Sequence, residues 1–213
     1  MSEYKRMSPI RWRATPAQVE RRDGWDVVLK YEKEDGGPML VDLSHLSRWD
    51  VQDRDIAALR PAGAAIPDGV GEVLMSEGYA VNRMNRTQAS VWHLGSGLPW
   101  VPDEPFVTET TDAHAFLAIL GAEKQVYGLM ERVCPLDLAA PGQGRPRLVQ
   151  GPMLHIPCQI VPFSADAKGT AAVLIAFSRG YGQSMAEALL ETGRSLGFRP
   201  GGESVFMKWL EGF

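Results

Sequence analysis

An uninterrupted apolar run at residues 171–177 constrains the fold of this chain more than any other feature. A strand with one side in water alternates apolar and polar residues, whereas this run has no polar position to expose. It therefore predicts a strand buried on both faces, at the centre of a sheet. A chain of 213 residues can surround such a strand, because a protein of this size buries roughly 70% of its unfolded surface.

The charge balance is slightly acidic, with 22 Lys and Arg residues against 26 Asp and Glu residues and a net charge of −4. No global positive field is present to hold a phosphate backbone, so we do not expect nucleic acid as a partner. Cys134 and Cys158 have no companion Cys or His at metal-ligand spacing. This pattern predicts two reduced thiols in the core, with neither a disulfide framework nor a metal site.

The sequence offers no targeting or membrane segment. It is charged from its third residue onward, and its longest apolar runs fall far short of the ~20 residues that a membrane helix requires. We therefore expect a cytoplasmic protein that does not bind membranes.

Turn and periodicity signals divide the first half of the chain into short strands. Residues 1–24 contain five arginines and only scattered apolar residues, which predicts an N-terminal arm. Strands are predicted at residues 25–31 and 39–43, joined by a turn, and a half-exposed strand at residues 46–52. A short helix is predicted after Asp53, and three strands are predicted within residues 70–94.

A proline- and glycine-rich segment, residues 95–105, predicts a linker between a first lobe, residues 25–94, and a second lobe, residues 106–213. The order strand, polar corner, strand, helix occurs twice, starting at Pro38 and at Pro105, which indicates an internal duplication.

Within the second lobe the patterns are more regular. Apolar spacing predicts helices at residues 122–133 and after Ser178, the second one ending at Gly197. Residues 147–163 predict one or two strands, interrupted at Gly151-Pro152 and at Pro157, after a loop at residues 140–146. A last helix at residues 205–213 either packs its Trp209 face on the body or offers that face to a partner.

Motifs for nucleotide binding or nucleophilic catalysis are missing from the sequence: it has no GxGxxG, no phosphate-binding GxxxxGK[ST] and no GxSxG. No catalytic residue is predicted. His45 is the most interesting histidine, because it follows Asp42 and Ser44 at a strand corner, where a carboxylate could hold a half-exposed imidazole. The alternative is a turn histidine that hydrogen-bonds the backbone.

The sequence around this corner resembles the glycine-cleavage T-protein family of folate-binding aminomethyltransferases. That family has a D-[LV]-S-H-[ML] corner and then a strand that ends in V-x-G-x-D before a helix; residues 42–46 read DLSHL and residues 51–55 read VQDRD. Residues 110–138 resemble its second lobe. The resemblance implies an α+β fold of two related strand-strand-helix-strand lobes, as in the T-protein folate-binding domain, without the C-terminal barrel.

The sequence departs from the T-protein pattern at the folate pocket. Residues 81–87 read VNRMNRT in place of the N-x-x-G-G pattern and its acidic residue, and residues 164–170 lack the glutamate that holds the pterin. A short member without these motifs resembles the gamma subunits of heterotetrameric sarcosine oxidases, which are of similar length. In such a complex the other subunits hold FAD, FMN, NAD, zinc and folate.

This second resemblance implies a non-catalytic structural or assembly subunit of an N-demethylating flavoenzyme, which binds no cofactor by itself and whose partners are larger flavoprotein subunits. The arginine-rich arm, the Trp100 loop and the Trp209 tail are the predicted contacts, since Arg and aromatic residues dominate interface energetics. The alternative is a stand-alone tetrahydrofolate-binding one-carbon transferase. Its pocket would use His45, Arg48, Asn82 and Arg86, with arginine binding the folate carboxylates.

Overall fold

The computed structural model describes residues 5–34, 36–138 and 146–212. Their strands are β1 (Pro16–Arg22), β2 (Trp25–Tyr31), β3 (Met39–Asp42), β4 (Arg48–Gln52), β5 (Val73–Ser76), β6 (Tyr79–Arg83), β7 (Gln88–His93), β8 (Val107–Glu109), β9 (His114–Ala122), β10 (Val149–Met153), β11 (Ile156–Phe163), β12 (Thr170–Ser178) and β13 (Arg199–Gly201). Their α-helices are α1 (Glu123–Val133), α2 (Gly182–Gly193) and α3 (Glu203–Leu210). The predicted loop at residues 140–146 lies mostly outside the described residues, as does Asp35 in the turn before β3.

The apolar run forms β12 in the interior of a six-stranded sheet, in the order β10-β11-β12-β9-β3-β13. β12 pairs antiparallel with β11 on one side and β9 on the other. Val173 and Ile175 enter one hydrophobic core and Leu174 enters another on the opposite face. The prediction of a central strand buried on both faces is confirmed.

Helices α1 and α2 cover one face of this sheet. Val126, Leu129 and Met130 of α1 are buried with Met185 and Leu189 of α2 in the same core. Both predicted helices are confirmed, although α2 starts only after a short 3-10 turn, Arg179–Tyr181. The predicted helix-terminating glycine has φ of 85° at residue 197, the left-handed conformation that glycine adopts at low cost.

A five-stranded antiparallel sheet, in the order β5-β6-β7-β4-β8, covers the other face. Trp92 of β7 meets Phe116 of β9 edge-on, with ring centroids 5.0 Å apart. The outer face of the five-stranded sheet carries Trp49 and Val91, which are covered by Ile56 and Ile66 from the segment after β4. The fold is therefore a mixed α+β sandwich of two sheets, with α1 and α2 on the outer face of the six-stranded sheet and α3 packed against its other face.

The two sheets do not coincide with the two predicted lobes. β8 follows the 95–105 segment yet pairs with β4 in the five-stranded sheet, and β3 precedes that segment yet pairs with β9 in the six-stranded one. Each sheet therefore takes strands from both sides of the predicted linker, and the division into lobes stays a prediction.

The N-terminal residues differ from the predicted arm. Pro16–Arg22 forms a strand, β1, that makes an antiparallel hairpin with β2. The hairpin turn is Asp23-Gly24, with φ of 45° and 79°, and Asp-Gly is a preferred pair for a two-residue turn with both φ values positive. Ahead of β1, Ile10 is buried in the core beneath the helices.

The last helix packs on the body, and Trp209 is not an exposed contact as one prediction had it. Phe206 and Trp209 are buried, and the indole N–H of Trp209 donates to the carbonyl of Thr170 at 3.2 Å. The helix presents these side chains inward because Phe163 and its neighbours offer an apolar face, with Trp209 edge-on to Phe163 at 5.2 Å. None of the described helices has the length and apolarity needed to cross a membrane.

Candidate functional site

A buried carboxylate, Glu203, lies at the centre of the most unusual polar arrangement. Its side chain is 4% exposed and accepts a hydrogen bond from Nε2 of His45 at 2.7 Å. It also accepts two bonds from the guanidinium of Arg22, one of them at 3.0 Å from Nη1. We call these three residues the Glu203 cluster; it joins the end of β1, the corner between β3 and β4, and the start of α3.

The cluster fixes Glu203 in its ionised form. Burial alone would raise the pKa of this carboxyl group, but the hydrogen bonds from His45 and Arg22 outweigh burial and lower the pKa to about 2. The bond to Glu203 in turn raises the pKa of Arg22. The cluster is therefore a charge-assisted contact near neutral pH.

Two glycines allow Glu203 to reach its partners. A Cβ on Gly202 would lie 2.2 Å from the carbonyl oxygen of Leu29 in β2, and a Cβ on Gly201 would lie 2.8 Å from Sδ of Met39 in β3. The backbone between β13 and α3 can approach β2 and β3 this closely only because both residues lack a side chain.

The Glu203 cluster lines an open cleft of about 630 Å³, which also contacts His93 and Leu98. Burial lowers the pKa of His93, which favours its neutral form at neutral pH. The volume lies within the range of small-molecule sites, and a histidine held by a carboxylate can exchange protons or orient a polar ligand. In the described part of the chain no three His, Cys, Asp or Glu side chains are grouped to hold a metal ion.

One of the two hypotheses for His45 predicts that a carboxylate holds its imidazole, and this is confirmed. The carboxylate belongs to Glu203 rather than to Asp42. Asp42 instead accepts hydrogen bonds from the hydroxyl of Ser8 and from the backbone N–H of Ser44. No local pattern predicts Glu203 as the partner of His45, because the two residues are 158 positions apart. The only local signal is the Gly201-Gly202 pair directly before it.

Arg48 is buried, in contrast to its predicted place on a half-exposed strand. Its Nη atoms donate to the carbonyls of Leu46 at 2.6 Å and Thr111 at 2.8 Å, with longer bonds to those of Ser44 and His114. Burial lowers the pKa of Arg48 to about 9. These contacts brace the corner around His45, since they tie residues 44–48 to the segment before β9.

Of the four residues predicted to bind folate, only His45 lines the cleft. Arg48 lines a smaller cavity of about 130 Å³. Asn82 lines neither; it is buried and donates to the carbonyl of Ser90 at 3.2 Å. Arg86 also lines neither and is exposed in the turn between β6 and β7. Their role in folate binding stays a prediction.

The Trp100 loop presents apolar side chains to solvent. Trp100 itself is half-buried, edge-on to Trp49 at 5.6 Å, and its backbone N–H donates to the hydroxyl of Tyr79 at 2.7 Å. Leu98 and Val101 on either side of it are 95% and 84% exposed. The loop is thus anchored at its centre and leaves two large apolar side chains uncovered.

The arginines of the predicted arm divide into fixed and exposed ones. Arg6 pairs with Asp112 at 2.6 Å and with Asp23 at 2.8 Å, and its guanidinium lies over the ring of Trp25. Arg11 and Arg13 are exposed. Arg21 is also exposed, and its guanidinium lies 3.7 Å from a carboxylate oxygen of Asp26.

Comparison with known proteins shows a likeness to solved structures. No protein-family model and no curated protein matches the chain. Among solved structures, a chain of the heterotetrameric sarcosine oxidase from Corynebacterium sp. U-96, in complex with pyrrole 2-carboxylate, has a TM-score of 0.59 at 16% sequence identity. The match covers 74% of this chain and 84% of that chain. At this identity the likeness concerns the fold.

Proposed function

We propose that this chain is a gamma-like, non-catalytic subunit of a heterotetrameric sarcosine-oxidase-type flavoenzyme that demethylates an amine. The supporting observation is the shared fold, which extends over 84% of the length of a chain from such a complex. In this proposal the chain has an assembly role and binds no cofactor alone, and FAD, FMN and NAD belong to larger partner subunits.

The Trp100 loop supports an assembly role. Full burial of a Leu or Val side chain contributes about 1.5–3 kcal/mol each, so Leu98 and Val101 would stabilise a complex that covers them. Trp100 holds the loop in place before binding, which reduces the ordering cost of association. The larger subunit is expected to offer an apolar recess at this position.

Gentle affinity purification of the tagged protein from its native host tests the proposal. We expect stoichiometric larger subunits and the absorbance of a bound flavin in the eluate. A colourless protein that elutes alone, at a native expression level and in low salt, would contradict the proposal.

A tetrahydrofolate-binding one-carbon transferase is the second candidate, and the cleft beside His45 is the observation that favours it. Its volume of about 630 Å³ is suitable for a pteridine-sized ligand. Calorimetric titration of the isolated chain with tetrahydrofolate tests this function. Micromolar binding that is lost in His45→Ala would support it and contradict a purely structural role.

A further inference from the structure

His93 is a buried histidine whose ring forms no hydrogen bond within the described part of the chain. The residue is 6% exposed, its backbone N–H donates to the carbonyl of Ser47 at 3.0 Å, and its ring centroid lies 4.8 Å from that of Tyr79. Neither ring nitrogen is among the unpartnered side-chain atoms that are sealed off from solvent. Buried polar groups ordinarily form hydrogen bonds, so the imidazole is an unused polar group that a ligand can reach.

The ring of His93 faces the open cleft beside the Glu203 cluster. Its Nε2 lies 3.7 Å from where a Cβ on Gly95 would stand, and both residues line the cleft. Gly95 has no side chain to fill this space, so the nitrogen stays within reach of a ligand. Burial lowers the pKa of His93, and a neutral imidazole has one nitrogen that accepts a hydrogen bond and one that donates.

Carboxylates are in excess along one edge of this cleft. Glu20 and Asp23 both line it, and their side chains are 52% and 88% exposed. In the network that contains them, five carboxylates share three guanidinium groups: Glu20, Asp23, Glu109, Asp112 and Glu203 with Arg6, Arg22 and Arg179. A separate network, centred on the other face of the β1-β2 hairpin, contains Lys5, Arg21 and Asp26. Even a proton on His45 would leave the edge of the cleft negative, so this edge attracts a cation.

The rest of the cleft is apolar and continues into the Trp100 loop. Leu46, Pro99 and Met207 line it together with Leu98, which is 95% exposed. Leu98 therefore belongs both to the cleft and to the surface through which the chain is proposed to contact a larger subunit. A subunit that covers this residue also lies over the cleft.

These three features restrict the group that a partner can insert. An acidic side chain would be repelled by the carboxylates, and an apolar one would bury them and His93 without partners. A cationic side chain with an aliphatic stem suits all three features, because the stem packs on apolar surface while the charge meets the carboxylates. Arginine suits the cleft better than lysine, since its guanidinium has five donors in a planar fork and arginine is enriched among the residues that dominate binding energy.

We propose that the cleft receives an arginine side chain of the larger subunit that covers the Trp100 loop. The guanidinium donates to the accepting nitrogen of His93, its stem packs against Leu98 and Met207, and Glu20 and Asp23 compensate its charge. The volume of about 630 Å³ lies within the range of sites that bind small organic groups. This inference rests on the proposed assembly function and identifies the chemistry of the partner at that contact.

Titration of the full chain with n-propylguanidinium, the side-chain analogue of arginine, tests the cleft directly. We expect millimolar binding, seen as shifts of the His93 ring signals and of the backbone amide signals of residues 95–98 in nuclear magnetic resonance spectra. n-Propylurea has a similar planar shape without the charge, and butanoate has the opposite charge; each is expected to bind at least about tenfold more weakly. Equal binding of n-propylurea, or no shift of these signals, would overturn the proposal.

Two variants separate the contributions of the imidazole and of the carboxylates. His93→Phe keeps an aromatic ring and removes both nitrogens. Glu20→Gln combined with Asp23→Asn removes two charges, and asparagine tolerates the φ of 45° at residue 23. Each variant is expected to weaken n-propylguanidinium binding about tenfold. Glu187→Gln combined with Glu191→Gln, on the exposed side of α2, is the matched control and should bind as the parent chain does. Unchanged binding in a folded His93→Phe chain would overturn the assignment.

Affinity purification from the native host distinguishes this inference from the proposed function. We expect the parent chain to co-elute with larger subunits and both variants to lose most of that co-elution. Full co-elution of both variants, alongside co-elution of the parent chain, would overturn the arginine contact alone. A parent chain that elutes alone would overturn the proposed function as well. Self-association of the parent chain that His93→Phe abolishes would assign the cleft to a second copy of this chain and overturn the proposal.

Discussion

Gly202 makes the closest backbone approach of the described glycines, because its missing Cβ would lie 2.2 Å from a carbonyl oxygen of β2. Backbone atoms cannot move aside as the end of a flexible side chain can. We expect Gly202→Ala to lower the free energy of unfolding by at least about 2 kcal/mol, measured by urea denaturation. Gly180→Ala is the control, since a Cβ at that position meets nothing within 4 Å and should be tolerated.

Glu203 makes stability depend on pH in a defined direction. Its folded-state pKa of about 2 lies below the ordinary value of 4.5. The ionised group therefore contributes stability that is fully present above about pH 4.5 and is lost as the pH falls towards 2. We expect Glu203→Gln to cost about 2 kcal/mol at pH 7 and much less at pH 3, measured by denaturation at both values.

The exposed pair between Glu191 and Arg194 provides the control for this measurement, because both side chains are mostly in solvent. Glu191→Gln should change the free energy of unfolding by less than about 0.5 kcal/mol. A Glu203→Gln chain that lost as much stability at pH 3 as at pH 7 would contradict the electrostatic account of the cluster.

Individual site residues were predictable from the sequence only where their partners lie nearby. The DLSHL corner identified His45 as a residue of interest, but its partner Glu203 lies 158 positions away. The alternation of residues 46–52 predicts one solvated face, which places Arg48 on a half-exposed strand. The carbonyls that bury its guanidinium come from residues as distant as His114, which no local pattern indicates.

At the level of secondary structure, the sequence predicted most reliably the elements with strong apolar periodicity. The continuous apolar run predicts β12, and apolar spacing of period 3.6 predicts α1 and α2, each within a few residues of its observed bounds. β1 was missed because its side chains from Pro16 to Arg21 are exposed, which leaves no apolar alternation to detect. The Asp23-Gly24 pair was its only signal.

The break between β10 and β11 also differs from the prediction. It falls at Leu154 and His155, which have φ of 49° and 66°, rather than at the prolines. Pro152 and Pro157 face each other in the paired strands, and β10 is an edge strand, where a missing backbone donor is tolerated.

The Asp23-Gly24 turn gives a prediction at this scale. Gly24 has φ of 79°, a conformation that a residue with a Cβ adopts only at a cost. We expect Gly24→Ala to destabilise the hairpin by about 1 kcal/mol, measured as faster amide hydrogen exchange in β1 and β2. Gly97→Ala is the matched control, because that glycine has open space around it and no positive φ. Unchanged exchange in Gly24→Ala would contradict the importance of this turn.

For the whole molecule, the sequence predicted an α+β fold but not how its sheets are assembled. Strand pairings such as β3 with β9 and β13 join distant segments, and local propensity contains no information about such pairs. The internal duplication suggested separate lobes, whereas each sheet combines strands from both halves of the chain.

The Trp100 loop gives a prediction for the assembled complex. We expect Leu98→Glu combined with Val101→Glu to prevent co-elution of the larger subunits, because two carboxylates would have to be buried at the contact. The stability of the isolated chain should change by less than about 0.5 kcal/mol, since both side chains are exposed. Val70→Glu, at a residue 62% exposed elsewhere on the surface, should leave co-elution intact. Full co-elution of the double variant would place the contact at another surface.

The central position of β12 has a consequence for biosynthesis. The ribosome releases β3 early and β9 midway, but the strand between β9 and β11 emerges only after residue 170, and β13 emerges later still. Until then β9 lacks one of its two neighbouring strands, and its apolar faces are uncovered. Exposed apolar surface of this kind recruits chaperones. Completion of the six-stranded sheet is therefore a late step, and premature termination before β12 would leave fragments whose apolar sheet faces stay uncovered and prone to aggregation.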